Sequence, residues 1–125
     1  MKYEFTEEKI KFDGVVLHRI RAVKNFGDVK IGELGGFIEG EKNLSHDGDA
    51  WVYDEARVIE NALVGDEARV YENALVFGEA WVFGGARVYG DARVGGKARV
   101  YGDARVSGEV WVGGDAQVHG DAVIC

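Results

Sequence analysis

The sequence predicts an all-β protein whose main part is a parallel β-solenoid with three short strands per coil. Valine returns at every sixth position from Val52 to Val118, and Ile124 takes the next such position. Alanine stands two positions before this site in twelve of the thirteen units, and glycine stands two positions after it in the last eight corners. An unbroken hexad repeat over residues 50 to 124 indicates stacked coils that each contact only their neighbours.

The spacing of the repeat excludes a helix and favours a strand. On an α-helix, a step of one hexad is a rotation of about 600°, so successive valines would point to different sides and leave no buried face. In a strand, alternate residues share a face, so the alanine and the valine of each unit point inward together. Each hexad is therefore one strand and one corner, and three hexads make one triangular coil.

The corners between the strands fall into two groups. Glycine occupies the second position after valine from Gly78 to Gly120, where a positive φ suits it. The first four corners carry other pairs, namely Asp54-Glu55, Glu60-Asn61, Asp66-Glu67 and Glu72-Asn73. We therefore expect these four corners to use a different turn geometry.

The chain divides into an N-terminal cap with an entry segment, residues 1–48, and the solenoid, residues 49–125. Residues 1 to 30 contain the alternating runs KIKF and VVLHRIRAV, which Asp13-Gly14 joins as a tight hairpin turn. This pattern predicts a small antiparallel β element. Because the end of a solenoid exposes unpaired strand edges, we expect this element to protect the first coil, and a partner-binding domain is the alternative.

The composition restricts the classes of partner. The formal net charge is −7, and acidic side chains outnumber basic ones in the solenoid part of the chain. Such a surface is repelled by phosphate backbones and anionic lipid, so we expect neither direct nucleic-acid binding nor membrane binding. No apolar run is long enough to span a bilayer, and a single cysteine excludes an internal disulfide framework. We expect a cytoplasmic protein.

The repeat, in segments such as VYGDARVSG and VGGDAQVHG, resembles the hexapeptide-repeat left-handed β-helix superfamily, which includes bacterial acyltransferases and γ-class carbonic anhydrases. The resemblance implies a left-handed winding, an exception to the right-handed crossover rule. The stretch FGDVKIGELGGFIEGEKNLSHDGDAWVYDEARV resembles hexapeptide proteins of bacteria and their phages, some of which carry an acetyltransferase label. That label follows the fold and names no demonstrated reaction.

The histidines are poor candidates for chemistry. Acyltransferases of the superfamily generally use a histidine base near a loop inserted between coils, with acyl-CoA bound between the subunits of a trimer, and here the hexads run without insertion. We expect His46 on an inward, valine-like position one hexad before Val52, and His119 on an exposed outward position. These two histidines lie about four coils apart and His18 lies in the cap, so a shared zinc site is excluded. We expect no catalytic residue, no metal site and no cofactor.

The outer faces carry aromatic and aliphatic columns, because every third hexad returns to the same face. One face has a column of Tyr53, Tyr71 and Tyr89 beside one of Trp51, Arg69, Arg87 and Arg105, which we expect to be structural ladders. The other two faces are more apolar. The predicted partner-binding residues are Ile59, Leu63, Leu75, Phe77, Trp81, Phe83, Tyr101 and Trp111. The alternative is that residues 1 to 48 fold back over part of this surface.

The C-terminal strand predicts self-association. No amphipathic helix follows Val123, Ile124 and Cys125 in the sequence, and an open strand edge invites pairing. We expect a two-fold dimer through the last coils, which would bring two copies of Cys125 together.

Three functions are therefore open at the level of sequence. The first is a non-catalytic protein-binding or scaffold solenoid that self-associates and presents rigid aromatic and acidic faces to a protein partner. The second is an acetyl-CoA-dependent acyltransferase that uses His46 or His119 across an interface. The third is a phage-type inhibitor whose acidic corners mimic nucleic acid for a basic target.

Overall fold

A computed structural model describes residues 1–125 and confirms the predicted all-β solenoid with an antiparallel N-terminal element. The strands are β1 (Tyr3–Phe12), β2 (Val15–Ala22) and β3 (Leu34–Ile38), followed by a 3-10 helix (Glu41–Asn43) and a series of short strands. The short strands are β4 (Trp51–Val52), β5 (Arg57–Val58), β6 (Leu63–Val64), β7 (Arg69–Val70), β8 (Leu75–Val76), β9 (Trp81–Val82), β10 (Arg87–Val88), β11 (Arg93–Val94), β12 (Arg99–Val100), β13 (Arg105–Val106), β14 (Trp111–Val112), β15 (Gln117–Val118) and β16 (Val123–Ile124).

Three sheets form the sides of the solenoid, and neighbouring short strands within each are parallel. Sheet I has the order β1-β2-β3-β5-β8-β11-β14, sheet II the order β4-β7-β10-β13-β16, and sheet III the order β6-β9-β12-β15. The register is set by the repeat, because each strand residue pairs with the residue three hexads later, as Val88 does with Val106. The predicted coil of three hexads is confirmed.

The interior is filled by the alanine and valine of each hexad. From Ala50 to Val106 these side chains are fully buried, and Val112 and Val118 are nearly so. The small alanine side chains fit the narrow interior and the valine side chains fill the remaining space. Successive coils therefore form one continuous apolar core.

The entry segment forms a first coil that is longer than the others. Ile38 pairs with Val58, and Leu44 forms a bridge with Val64, so each lies slightly more than three hexads before its partner. From Val52, which pairs with Val70, the step is three hexads, which locates the extra length between Leu44 and Val52. The prediction that His46 takes the inward position is therefore wrong, because the fully buried Leu44 takes it.

The corners share one backbone conformation throughout, so the prediction of a different turn for the first four is also wrong. Asp54, Glu60, Asp66 and Glu72 have φ values between 57° and 60°, and the glycines from Gly78 onward have φ values between 61° and 75°. The acidic side chains offset this strained backbone by accepting hydrogen bonds from the next coil. For example, Glu72 Oε1 accepts from the backbone N–H of Gly90 at 2.8 Å.

The N-terminal hairpin β1–β2 continues sheet I beyond the first coil. Asp13 and Gly14 both have positive φ in its turn, as a type I′ turn requires. Strand β2 pairs antiparallel with β3, and β3 pairs parallel with β5. The hairpin thus supplies hydrogen-bond partners for the first strand of the sheet, as expected of a cap.

Candidate protein-binding surface

The outer face of sheet I is largely covered by the chain itself. Ile59 is only 5% exposed and packs in a buried cluster with Leu17 of β2 and Phe37 of β3. Leu75 and Phe77 pack against the same cluster, together with the hairpin residues Ile10, Phe12 and Val15. The sequence left two alternatives for Ile59, Leu75 and Phe77, namely binding of a partner or coverage by residues 1 to 48. The structure favours coverage.

Two arginines fasten this covering to the solenoid. The guanidinium of Arg57 lies 4.7 Å from the ring centroid of Phe12, and that of Arg19 lies 4.2 Å from the ring centroid of Phe37. Arg19 also forms an ion pair with Glu55 at 2.9 Å. Because cations over aromatic faces and ion pairs add to the apolar contacts, the hairpin is held by several independent interactions.

The outer face of sheet III is open. It carries the other large members of the predicted set, Leu63, Trp81, Phe83 and Tyr101, and no part of the N-terminal hairpin packs over them in a core cluster. Trp81 is 44% exposed and meets Phe83 edge-on at a centroid separation of 6.2 Å. Phe83 stacks in turn on Tyr101 at 4.9 Å. These residues form one rigid, largely aromatic surface, which we name the sheet III surface.

Trp111 lies apart from the sheet III surface. It belongs to β14 of sheet I, is 69% exposed, and pairs across the sheet with Arg93, whose guanidinium lies 5.2 Å from its ring centroid. The structure therefore separates Trp111 from the other exposed tryptophan, Trp81, although the sequence placed both in one set.

Sheet II carries the two ladders that the sequence predicts. Tyr71 and Tyr89 stack with a centroid separation of 4.7 Å. Burial and a hydrogen bond from its hydroxyl to Asp28 raise the pKa of Tyr53 to about 12. Trp51, at the head of the arginine column, is fully buried and meets the rings of Tyr3 and Phe26 edge-on. The N-terminal segment therefore covers the first coil on this side as well.

The three histidines have different surroundings. His46 stacks on Tyr3 at 4.1 Å, and its Nδ1 accepts a hydrogen bond from the backbone N–H of Lys2 at 3.0 Å. Its Nε2 lies 2.7 Å from a carboxylate oxygen of Glu41. Both nitrogens of this imidazole are thus engaged, Nδ1 by the N-terminal segment and Nε2 by the 3-10 helix. His18 stacks on a phenylalanine ring of the hairpin, and His119 is exposed at the end of the sheet III surface.

The residues predicted for self-association lie in the last coil. Val123 is 63% exposed, Ile124 is partly buried, and Cys125 is an exposed free thiol. Self-association through them stays a prediction.

The structure also locates residues that the sequence did not single out. Ser45, Gly65 and Asp66 line a recess with Trp81 and Phe83 at the N-terminal end of the sheet III surface, where Leu63 completes the lining. Three hexads before Phe83 the sequence has Gly65, so the repeat contained the signal. No three His, Cys, Asp or Glu side chains come together as a metal site would need, and no helix has the length and apolarity to cross a membrane.

The repeat, the parallel coils and the antiparallel cap together define a hexapeptide-repeat β-solenoid protein. Residues 98–114 match the model of a family described as YdcK Beta solenoid repeat. The chain is similar to the uncharacterized acetyltransferase YdcK of Escherichia coli (strain K12), with 39% identity over 62 residues. The match covers 43% of this chain and 19% of that protein, so the chain corresponds to only a small part of the relative's length.

Proposed function

We propose that the protein is a non-catalytic binding solenoid that presents the sheet III surface to a protein partner. One observation carries the proposal: two faces of the solenoid bear outward apolar side chains, and the N-terminal hairpin covers the first coils of one face, around Ile59, and leaves the other face open. Ile59 on sheet I is 5% exposed beneath the hairpin, whereas Trp81 on sheet III is 44% exposed.

The sheet III surface has the properties of a protein-binding site. Tryptophan and tyrosine dominate the residues that contribute most binding free energy at protein interfaces. Parallel strands and stacked rings hold Trp81, Phe83 and Tyr101 in place, since Phe83 and Tyr101 lie 4.9 Å apart with an angle of 8° between their planes. A preorganised surface loses little side-chain entropy on binding, so more of the contact free energy remains as affinity.

The backbone of the solenoid supports a binding function over catalysis. The turns follow one another at every hexad from Asp54 to Gly120, so no inserted loop lies beside the coils to hold a base or cover a thioester. Of the histidines, His46 uses both ring nitrogens in structural contacts. The remaining pair, His18 and His119, lie far apart in the chain and each stacks on an aromatic ring.

An acetyl-CoA-dependent acyltransferase is the second candidate, and the name of the E. coli relative is the observation that favours it. In that case His119 would be the base to consider, because it is exposed next to the Tyr101 ring at 5.2 Å. Acetyl-CoA would then raise the melting temperature of the protein, and free CoA would accumulate with a suitable amine acceptor. Loss of that accumulation in a His119→Ala variant would support the acyltransferase and contradict the proposal.

Site-specific photocrosslinking tests the binding function. A photoreactive phenylalanine derivative is placed at Trp81 in one version of the protein and at Trp111 in another, and both are irradiated in the cells from which the chain comes. Both tryptophans are exposed and each has the guanidinium of a neighbouring arginine over one face of its ring, so they form a matched pair. We expect a defined protein adduct from position 81 and none from position 111. Equal labelling at both positions, or none at either, contradicts the proposal.

A further inference from the structure

The aromatic column of sheet III lacks its first ring. Phe83, Tyr101 and His119 follow one another at steps of three hexads and stack with centroid separations of 4.9 Å and 5.2 Å and interplanar angles of 8° and 13°. The preceding position of this column is Gly65. One face of the Phe83 ring is thus covered by Tyr101, and the other adjoins a position that carries no side chain.

No ring of the preceding coil fills the space beside Gly65, although this glycine is itself buried. A Cβ atom built on Gly65 meets only the Cβ of Ser45, at 3.8 Å. The comparable glycine on sheet I, Gly95, is different, because the ring of Phe77 lies 2.2 Å from the position of such a Cβ. On sheet I the ring of Phe77 therefore occupies the space at Gly95. On sheet III no ring occupies the space at Gly65, which remains as a recess.

The lining of the recess combines aromatic faces with a carboxylate. Trp81, Phe83 and the exposed residue Asp66 are among the side chains that line it. One carboxylate oxygen of Asp66, Oδ2, accepts the backbone N–H of Gly84 at 3.0 Å. The second oxygen forms no hydrogen bond within the protein and is available to a ligand.

We infer that this recess binds the guanidinium group of an arginine presented by the protein partner. The inference rests on the proposed function and gives the chemistry of its partner. A planar cation fits a slot whose wall is a flat ring, since the electron-rich face of an aromatic ring attracts cations. The free oxygen of Asp66 adds a charge-assisted hydrogen bond. The formal net charge of −7 attracts a basic partner over longer range.

The protein itself uses the same type of contact on both apolar faces. Arginine guanidinium groups lie 4.2 Å to 5.2 Å from ring centroids at Phe37, Phe12, Trp111 and Trp81. At Trp81 the cation is Arg99, which belongs to the strand below, whereas the recess lies on the side of Leu63, the strand above. The guanidinium of a partner would therefore not compete with Arg99 for the same side of the column.

An NMR titration with two isosteric small molecules tests the inference. The probes are N-acetyl-arginine amide and N-acetyl-citrulline amide, which have the same shape and differ in charge. We expect the arginine derivative to shift the signals of the Gly65 amide and the Trp81 indole N–H, with a dissociation constant about two- to fivefold lower than that of the citrulline derivative. N-acetyl-phenylalanine amide, an uncharged aromatic compound, is titrated as a third probe. Equal affinities for the arginine and citrulline derivatives, or stronger binding of the phenylalanine derivative, overturn the inference.

Three variants complete the test. Gly65→Tyr extends the column and fills the recess, and Gly113→Tyr adds the same side chain on sheet I, where a Cβ meets nothing within 4 Å. We expect only Gly65→Tyr to abolish the shifts. Asp66→Asn keeps an acceptor for Gly84 and should weaken arginine binding by up to about fivefold while leaving citrulline binding unchanged. Arginine binding that survives in Gly65→Tyr, or is lost equally in Gly113→Tyr, contradicts the inference.

The outcomes separate this inference from the proposed function. If position 81 crosslinks to a partner and the recess does not discriminate arginine from citrulline, the guanidinium site is wrong and the binding function stands. If the recess binds arginine selectively and position 81 crosslinks to no protein, the binding function is wrong and the site stands.

Discussion

Glu72 allows a direct test of how the acidic corners hold the coils together. Its φ is 60°, a left-handed conformation that costs a non-glycine residue roughly 1–2 kcal/mol. Its Oε1 accepts the backbone N–H of Gly90 in the next coil at 2.8 Å. Hydrogen bonds to charged groups can contribute more than the usual value of about 0.5–1.5 kcal/mol, but this bond is exposed to solvent, so we assign it a net contribution in that usual range. The side chain thus offsets the strain that its own Cβ causes.

Substitution by alanine and by glycine should therefore give an unusual order of stability. Glu72→Ala keeps the strain and loses the bond, so it should lower the free energy of unfolding by about 1 kcal/mol. Glu72→Gly loses the bond and relieves the strain, so it should remain within about 0.5 kcal/mol of the parent. The glycine variant should then be the more stable of the two, whereas in ordinary strand or helix positions alanine is the better residue.

The assay is urea unfolding at room temperature, with the slope of each transition compared between variants so that the free energies refer to the same cooperative unit. Glu67 supplies the control, because it is an exposed corner residue without positive φ or a side-chain hydrogen bond. The Glu67→Ala variant should be at least as stable as the Glu67→Gly variant. If Glu72→Ala is as stable as Glu72→Gly, the explanation of the acidic corners is refuted.

Three further predictions concern stability and assembly. Burial lowers the pKa of Lys2 from 10.5 to about 8, so between these two values the unfolded chain binds more protons than the folded one, and stability should rise with pH. The raised pKa of Tyr53, about 12, should oppose this trend above pH 10.0, the ordinary pKa of tyrosine. The Lys2→Met variant should lose the rise in melting temperature. Gly96→Ala should destabilise by about 1–2 kcal/mol in urea unfolding, because φ is 62° and its Cβ would lie 2.7 Å from the N atom of Gly114; an unchanged midpoint contradicts this. Light scattering should give a dimer mass at high concentration, and monomers for both the parent and Cys125→Ser would exclude the C-terminal dimer.

The repeat made most of the solenoid predictable from sequence. Alanine and valine at fixed positions determine which side chains are buried, and steps of three hexads determine which side chains stack. The pairs Arg87 with Arg105 and Tyr71 with Tyr89 follow directly from this arithmetic. Local rules suffice there because each coil contacts only its neighbours.

The errors occur where the period changes or where parts distant in sequence meet. Counting hexads back from Val52 places His46 in the interior, but the first coil is longer than the repeat, so Leu44 takes that position. His46 instead contacts the N-terminal segment. The φ value at Glu72 was missed because its stabilising contact lies one full coil away, at Gly90. Coverage of Ile59 depends on the direction in which the hairpin folds, which no local pattern specifies.

The candidate site was predictable in part for the same reasons. Stepping through the repeat identified Trp81, Phe83 and Tyr101 as outward residues, and the structure brings them together. The recess at Gly65 could not be recognised by listing large side chains, because its defining feature is a missing one. Both Gly65 and Gly95 lack a side chain, but the ring of Phe77 fills the space at Gly95 and no ring fills the space at Gly65. This difference is visible only in the structure.

Calorimetric titration of the partner identified by crosslinking tests the proposed binding function most directly. The purified partner is titrated into the parent protein, into Trp81→Ala and into Trp111→Ala, after melting curves establish that all three are folded. Loss of a central interface tryptophan costs about 2 kcal/mol or more. We therefore expect Trp81→Ala to weaken binding by about 30-fold or more and Trp111→Ala to leave it unchanged. Unchanged affinity in Trp81→Ala would contradict the assignment of the sheet III surface as the binding site.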